Sequence, residues 1–338
     1  MAADLGYHEG WRAIAVGTGA AADLAEVAEL RERARATVHG SRDRELCDRR
    51  RISVHARIAP VMTCQIVQTH ELLARHFGGP EGVAVIGHAS AAVSGSDHID
   101  RRTAVHEYAL SVARNEFERA GLKIAGTRAE RVPVCWVTYQ GHAGPGATAH
   151  AVLRFYGHPG MHERGQLRAT LAQQIEYVVK QCETRLVVVD DVTAVSDGRS
   201  IPRSPSLSIL AALPVALILV GDGIGTSCDA MVSGIRNRWL KASVSPIPYG
   251  NGRAARSWCN LVAHYEARLT LAEVVDGCLT EHAAWLHWRT GGSPSVLDEL
   301  LTRAAAAAIR SGAETITLPL LRSIPLRIDA PTDGGGDS

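Results

Sequence analysis

The sequence predicts an α/β protein, in which a parallel sheet lies between two layers of helices, followed by a smaller helical domain. Residues Leu186–Val189 form an apolar run without polar alternation, which is typical of a strand buried on both faces of a parallel sheet. Between residues 63 and 220 such runs alternate with segments of helical pattern, as in βαβ units. After the Pro- and Gly-rich segment Pro246–Gly252 the pattern is wholly helical, which predicts the second domain.

The composition is that of an ordinary globular protein, with 338 residues, 46% hydrophobic and 21% charged. A net charge of +1 gives no general argument for binding nucleic acid or membrane. Seven cysteines without a CxxC pair favour reduced thiols and argue against a zinc site. The longest apolar run, Ile209–Val220, is too short to span a membrane, and no signal peptide is recognisable at the N-terminus. We therefore expect a cytoplasmic protein without membrane contact.

We expect four segments along the chain: an N-terminal extension (1–45), an α/β core (46–249), a helical domain (250–328) and a disordered tail (329–338). The tail is rich in Gly and Asp and has too few apolar residues to pack. Strands are predicted at 82–87, 132–139, 186–189 and 213–220. Helices are predicted at 23–35, 63–77, 102–120, 148–156, 166–182, 253–266, 271–287, 295–310 and 318–324.

The first predicted strand runs into a loop of small residues, His88–Asp97, which a helix follows. This is the context of a P-loop, in which glycines admit the phosphates, a lysine contacts them and a Ser or Thr contacts Mg²⁺. The candidate nucleotide-binding residues of this loop are Gly87, Ser94, Gly95 and Ser96. The only lysines of the chain are Lys123, Lys180 and Lys241, so the motif lacks its lysine. Arg101 and Arg102, just past the loop, are the candidates for a substitute charge.

Two adjacent carboxylates, Asp190 and Asp191, end the central predicted strand. Open α/β sheets bind their ligands at the carboxyl ends of the strands. In P-loop ATPases the first acid at this position helps to hold Mg²⁺, and the second polarises the attacking water. The alternative interpretation is a buried strand followed by a solvated, Asp-rich turn.

Arginines are concentrated between residues 41 and 57, with few acids among them. Such a cluster is able to bind a phosphate backbone, which makes Arg49, Arg50, Arg51 and Arg57 the candidate DNA-binding residues. The alternative is an arginine-rich helix face that contacts only solvent.

In the order of these motifs the sequence resembles the AAA+ ATPases, and more narrowly the TniB-type transposon ATP-binding proteins, the helper ATPases of transposition. The resemblance covers about residues 45–328. The segments that carry it are Arg51–Arg57, Val134–Thr138, Leu186–Asp191, Gly234–Trp239, Pro246–Gly250, and Arg289–Gly292 followed by Ala304–Gly312 and Ile316–Thr317.

The resemblance implies a P-loop AAA+ core with a helical lid, ATP and Mg²⁺ as cofactors, and DNA and a transposase as partners. It also implies assembly of identical subunits into a ring or filament. By position, Asp190 is the acid linked to the metal, Asp191 stands where the catalytic Glu usually is, and Arg238 resembles the arginine finger, with Arg236 as the alternate. The residues implied to lie at the nucleotide are Asp222, Thr290, Gly291 and Gly292.

Without the lysine, the site lacks a charged contact to the phosphates, and ATP hydrolysis is therefore expected to be weak or absent. The sequence therefore predicts a degenerate AAA+ protein that acts as a transposition helper or assembly module with weak or no ATP hydrolysis. Two alternatives stay open. One is an active ATPase in which an arginine replaces the P-loop lysine, and the other is a signalling or defence adaptor built on an AAA+ core.

Overall fold

The fold is described from a computed structural model. It describes residues 24–38, 40–55, 63–78, 89–95, 98–127, 130–159, 168–193, 203–232, 239–250 and 252–326. The helices are α1 (Leu24–Ala36), α2 (Arg42–His55), α3 (Cys64–His76), α4 (His98–Ala120), α5 (Ala147–Phe155), α6 (Arg168–Gln181), α7 (Pro205–Ala211), α8 (Ile224–Met231), α9 (Arg253–Ala267), α10 (Ala283–Thr290), α11 (Pro294–Ser311) and α12 (Leu318–Ser323).

The described strands form one five-stranded parallel sheet in the order β2-β3-β4-β1-β5. The strands are β1 (Ser90–Ser94), β2 (Val134–Thr138), β3 (Leu186–Asp190), β4 (Ala216–Gly221) and β5 (Trp239–Ser243). Strand β4 therefore lies between β1 and β3. Because the strands are parallel, their carboxyl ends lie at the same edge of the sheet.

Both faces of the sheet are covered, which gives the core three layers. Alternate residues of each strand point to opposite faces, as the pleat requires. One face packs against α5, α6, α7 and α8, and the other packs against α3 and α4. In β3, for example, Val187 and Val189 belong to the first cluster, whereas Leu186 and Val188 belong to the second. This explains why the strand is apolar at every position.

The chain forms two compact units, and they do not follow the predicted domain boundaries. The core comprises residues 65–245, and the helical unit combines residues 20–64 with residues 246–338, as far as these are described. Helices α1 and α2 thus belong to the helical unit, although residues 1–45 were predicted to be an extension and residue 46 the start of the core. Val27 of α1 and Cys47 and Val54 of α2 pack with Ala272 of the helical unit.

A buried group of charges explains why α2 lies in the helical unit. The guanidinium of Arg51 is fully buried and ion-paired with Glu314, which follows α11. Arg44, also on α2, is paired with the same carboxylate, and both arginines contact Asp48. Glu314 in addition accepts a hydrogen bond of 2.8 Å from the backbone N–H of Ala272. Two arginines and two acids neutralise each other here, as buried charges must.

The structure confirms the predicted fold class: a three-layer α/β core with a parallel sheet and a separate helical unit, consistent with a P-loop AAA+ core. Several element boundaries were wrong. The helices α7 and α8 and the strand β5 were not predicted, and the segment 271–287 is helical only from Thr280, in a 3₁₀ turn that leads into α10. The predicted strand 82–87 and the predicted disordered tail lie outside the described residues.

No helix in the described part of the chain is long and apolar enough to cross a lipid bilayer.

Candidate functional site

The connection between β1 and α4 differs from the predicted P-loop. Residues 90–94, predicted to lie in the loop, form the strand β1, and α4 begins at His98, so only residues 95–97 connect the two. The P-loop motif instead has four residues between its glycines, followed by Lys and Ser or Thr. The prediction of a loop is therefore wrong at Ser90–Ser94, whereas residues 88, 96 and 97 lie outside the described residues. Ser90–Ser94 was missed as a strand because its residues are small, and its burial between β4 and β5 decides its structure.

Two of the predicted phosphate-binding residues make contacts within the core. The hydroxyl of Ser94 donates a hydrogen bond of 3.2 Å to the carbonyl oxygen of Ala242 on β5. At Gly95 a Cβ atom would lie 2.4 Å from the carbonyl oxygen of Val244, so a glycine is required here by the close approach of the backbone after β5. Gly87 and Ser96, the other two, lie outside the described residues.

Adjacent arginines of α4 contact the ends of the two strands that flank β4. The buried side chain of Arg101 donates a hydrogen bond to the carbonyl oxygen of Gly95, directly after β1. The side chain of Arg102 forms an ion pair with Asp190 at the end of β3, with Nε 3.0 Å from Oδ2. Neighbouring positions of a helix point in different directions, which lets the two side chains reach different strands.

The carboxylate of Asp190, predicted to hold a metal, is engaged at both oxygens. Oδ2 faces Arg102, and Oδ1 accepts a hydrogen bond of 2.9 Å from the backbone N–H of Asp191. Only 10% of the Asp190 side chain is exposed, compared with 53% of the Arg102 side chain. The pair is thus open to solvent on the arginine side and closed on the carboxylate side.

Asp191 turns the chain across the end of β4. Its φ of +60° is in the left-handed region, which an aspartate tolerates better than most residues. The backbone N–H of the next residue, Val192, donates a hydrogen bond of 2.8 Å to the carbonyl oxygen of Val220. The carbonyl oxygen of Val192 lies so near Gly221 that a Cβ atom there would be 2.0 Å away. The carboxylate of Asp191 itself belongs to an exposed residue.

Magnesium and a triphosphate do not fit this edge of the sheet as they fit a P-loop. The protein's own groups fill the ends of three neighbouring strands: Arg101 at β1, Val192 at β4 and Arg102 at β3. Of the acids that follow these strands, Asp190 is paired with Arg102, whereas Asp191 after β3 and Asp222 after β4 belong to exposed residues. Among the residues that the structure describes, no group of three or more His, Cys, Asp or Glu is placed to hold a metal ion.

The predicted lid residues form a helix end within the helical unit. Thr290 is buried, and its hydroxyl donates a hydrogen bond of 2.8 Å to the carbonyl oxygen of Leu286. Gly291 ends α10 with a φ of +62°, as glycine commonly does after a helix. Gly292 has a φ of +72° and contacts Ile247, whose N–H donates a hydrogen bond of 2.9 Å to the carbonyl oxygen of Gly292. Their role at a nucleotide stays a prediction.

The candidate DNA-binding arginines differ in their exposure to solvent. Arg51 is fully buried against Glu314, so its assignment to a DNA surface is wrong. Arg50 is half-exposed and paired with Glu26 of α1, whereas Arg49 is exposed. Arg57 and the predicted arginine finger Arg238, with its alternate Arg236, lie outside the described residues. For Arg49, Arg50 and Arg57, DNA binding stays a prediction.

The feature that sequence reasoning missed is the contact of Arg102 with Asp190. The signal in the sequence is an arginine pair at the start of the helix after β1, together with the absence of a lysine in the loop. From the sequence, these arginines were candidates to contact phosphate. In the structure, both contact other atoms of the protein instead: Arg101 the carbonyl oxygen of Gly95, and Arg102 the carboxylate of Asp190.

Comparison with known proteins does not assign the chain to a family. No family profile and no curated protein matches it. Among solved structures, one of Drosophila ORC bound to DNA is similar, with a TM-score of 0.39 and 11% sequence identity. The match covers 75% of this chain and 62% of that chain, so the protein spans less than two thirds of the length of this neighbour.

Proposed function

We propose that the protein is a degenerate AAA+-type module that assembles without hydrolysing ATP, and that it acts as a helper in DNA transposition. The observation that carries the proposal is that arginines of α4 contact the two strand ends at which a P-loop ATPase would bind phosphate and Mg²⁺. Arg101 contacts the carbonyl oxygen after β1, and Arg102 contacts the carboxylate at the end of β3. A site whose charges are already paired internally gains little from a bound nucleotide.

The same observation speaks against an active ATPase with an arginine in place of the lysine. Such an enzyme needs a free guanidinium directed at the β- and γ-phosphates. Arg101 is buried with its guanidinium on Gly95, and Arg102 is paired with the acid that would have to hold the metal. No described contact favours a signalling or defence role over assembly.

The part of the proposal that concerns DNA and transposition rests on the resemblance of the sequence motifs to TniB-type helper proteins. The remaining candidates for contact with a phosphate backbone are the exposed Arg49, Arg50, which is paired with Glu26, and Arg57.

We expect ATP with Mg²⁺ to bind weakly and to turn over at the rate of the buffer alone, because neither the charge nor the loop length of a P-loop is available. Asp190→Asn is expected to leave this background rate unchanged. Isothermal titration with ATP and Mg²⁺, together with a phosphate-release assay, measures both quantities. Micromolar affinity with turnover that Asp190→Asn abolishes would contradict the proposal.

We expect oligomers to form without nucleotide, in a head-to-tail contact between Arg238 or Arg236 of one subunit and the exposed Asp191 of the next. A half-made interfacial charge pair costs about 2–5 kcal/mol, which is enough to remove assembly from the micromolar range. Asp191→Ala and Arg238→Ala are therefore each expected to weaken assembly, and their double variant to be non-additive. Sedimentation with and without duplex DNA is the measurement, with Thr193→Ala, a neutral exposed neighbour, as the control. A monomer under both conditions would refute the assembly proposal.

A further inference from the structure

Arginines line the junction between the helices α1 and α2 and the rest of the helical unit. On α1, Arg31 donates hydrogen bonds to the carbonyl oxygens of Ala267 and Leu269, at 3.0 and 2.6 Å. Arg35, one turn further along, donates to the carbonyl oxygen of Ala272 at 2.8 Å. These carbonyl groups lie at the end of α9 and just after it. The end of a helix leaves carbonyl oxygens without partners and favours a nearby positive charge.

Glu314 joins the two sides of the junction by charge. On α2, Arg51 donates from Nη1 to Oε1 of Glu314 at 3.0 Å, and from Nε to the carbonyl oxygen of Thr270 at 2.7 Å. Arg44 is paired with the same carboxylate. The other acid of the group, Asp48, lies on α2 itself, so its pairs with the two arginines hold within the helix. Of the acids that the structure pairs with these arginines, Glu314 is the one that lies outside α2.

Apolar contact across the junction is small, because each side has its own apolar cluster. Among the described residues, the cluster of α1 and α2 contains one buried residue from elsewhere in the helical unit, Ala272. The larger cluster, which includes Trp258, has its buried members between residues 247 and 324, and Ile52 of α2 packs against it. Hydrogen bonds to carbonyl groups are replaced by bonds to water when a contact opens, whereas buried apolar surface is the main stabilising term. Charge, more than apolar burial, therefore determines whether the junction stays closed.

We propose that α1 and α2 form a latch, which opens as one piece when Glu314 loses its charge while α9, α10, α11 and α12 stay folded. The two helices stay together in the open state, because Val27 and Leu30 of α1 pack with Cys47 and Val54 of α2. The latch is a conformational device that responds to acidity. It goes beyond the proposed function, since it requires neither nucleotide nor DNA.

The groups that face Glu314 determine the direction of the pH response. They are Arg44 and Arg51 of α2, with Asp48 beside them, and the backbone N–H of Ala272, which donates a hydrogen bond of 2.8 Å. Burial raises the pKa of Glu314, but the bonds to Arg51 and Ala272 together hold that pKa below its ordinary value of 4.5. A carboxyl with a lowered pKa in the closed state favours closure at higher pH, and this contribution is lost as the pH falls through the lowered pKa. The latch is therefore closed at neutral pH and opens in acid.

Hydrogen exchange of the full-length protein at pH 7, followed by mass spectrometry, tests the latch. In Glu314→Gln the amides of residues 24–55 are expected to exchange roughly tenfold faster or more, while those of α11 keep their protection. The matched control is Asp48→Asn, which removes the other acid of the group. It is expected to accelerate exchange of residues 24–55 less, because Asp48 keeps its pairs with the arginines whether the latch is closed or open.

Three results would overturn the inference. They are unchanged protection of residues 24–55 in Glu314→Gln, equal acceleration in α11, and equal acceleration by Asp48→Asn. The wild type gives a second measurement that does not depend on a folded variant. Its protection factors are followed from pH 7 to about pH 3, after correction for the intrinsic pH dependence of exchange. Residues 24–55 are expected to lose protection before α11 and the buried strand β3, and loss at the same pH in all three would also overturn the inference.

Discussion

Replacing Glu314 by glutamine is expected to lower the free energy of unfolding of the helical unit by about 3–5 kcal/mol, the usual cost of removing one partner from a buried ion pair. Glutamine keeps the size of the side chain but removes the charge that Arg51 and Arg44 share. Arg51 is fully buried and has Asp48 as its other acidic partner, so the variant leaves two buried guanidinium groups with one carboxylate.

Urea denaturation followed by tryptophan fluorescence measures this loss, since Trp258 is buried in the helical unit. The matched control is Glu26→Gln, which removes the acidic partner of Arg50 at the surface, where half of the arginine side chain is exposed. Exposed pairs contribute about 0–1 kcal/mol, so the control is expected to change stability little. Equal effects of both variants would show that the Glu314 network does not hold α2 in place.

The same network predicts how stability depends on pH. Burial alone raises the pKa of Glu314, but its hydrogen bonds to Arg51 and to the N–H of Ala272 outweigh burial, so the pKa lies below its ordinary value of 4.5. A carboxyl whose pKa is lower in the folded state stabilises the fold above its unfolded pKa. This stabilisation is lost as the pH falls below about 4.5 and through the folded pKa. Glu314→Gln is expected to flatten this part of the stability curve.

The parts of the fold that sequence reasoning identified are those with a strong local pattern. The unbroken apolar run of β3 predicted a buried strand, and the caps and stops of α11 predicted a helix close to its observed bounds. Ser90–Ser94 was missed because two serines and two alanines have little local preference for a strand. Its burial between β4 and β5 is a tertiary effect.

The candidate site was predictable in its location and not in its contacts. Asp190 and Asp191 lie at the carboxyl edge of the sheet, as their position after β3 predicted. The partner of Asp190 was not predictable, because nothing local distinguishes an arginine that reaches a phosphate from one that reaches a carboxylate. The same holds for Arg51, whose partner Glu314 is 263 residues away in the chain. A cluster of arginines in the sequence therefore contained both exposed and fully buried members.

The second large loss of stability is expected from a substitution at Gly221, where the backbone of Val192 crosses the end of β4. Gly221→Ala would place a methyl group 2.0 Å from the carbonyl oxygen of Val192 and 2.8 Å from its carbonyl carbon. Both contacts are with backbone atoms, which cannot turn away as the end of a flexible side chain can. Overpacking typically costs about 1–3 kcal/mol, and a backbone contact this short is expected to reach the upper end of that range.

Two measurements test this expectation, and the control is Gly250→Ala, where a Cβ atom meets nothing within 4 Å. Urea denaturation is expected to show a loss of about 3 kcal/mol for Gly221→Ala, at the upper end for overpacking, and a small change for the control.

Hydrogen exchange locates the effect. The N–H of Val192, bound to the carbonyl oxygen of Val220 at 2.8 Å, is expected to lose protection. The N–H of Val244, bound to Ser94 at 2.7 Å, is expected to keep it, because only the chain over β4 has to move. Full protection of Val192 in Gly221→Ala would mean that the chain does not close the end of β4, and that this strand end is open to a ligand.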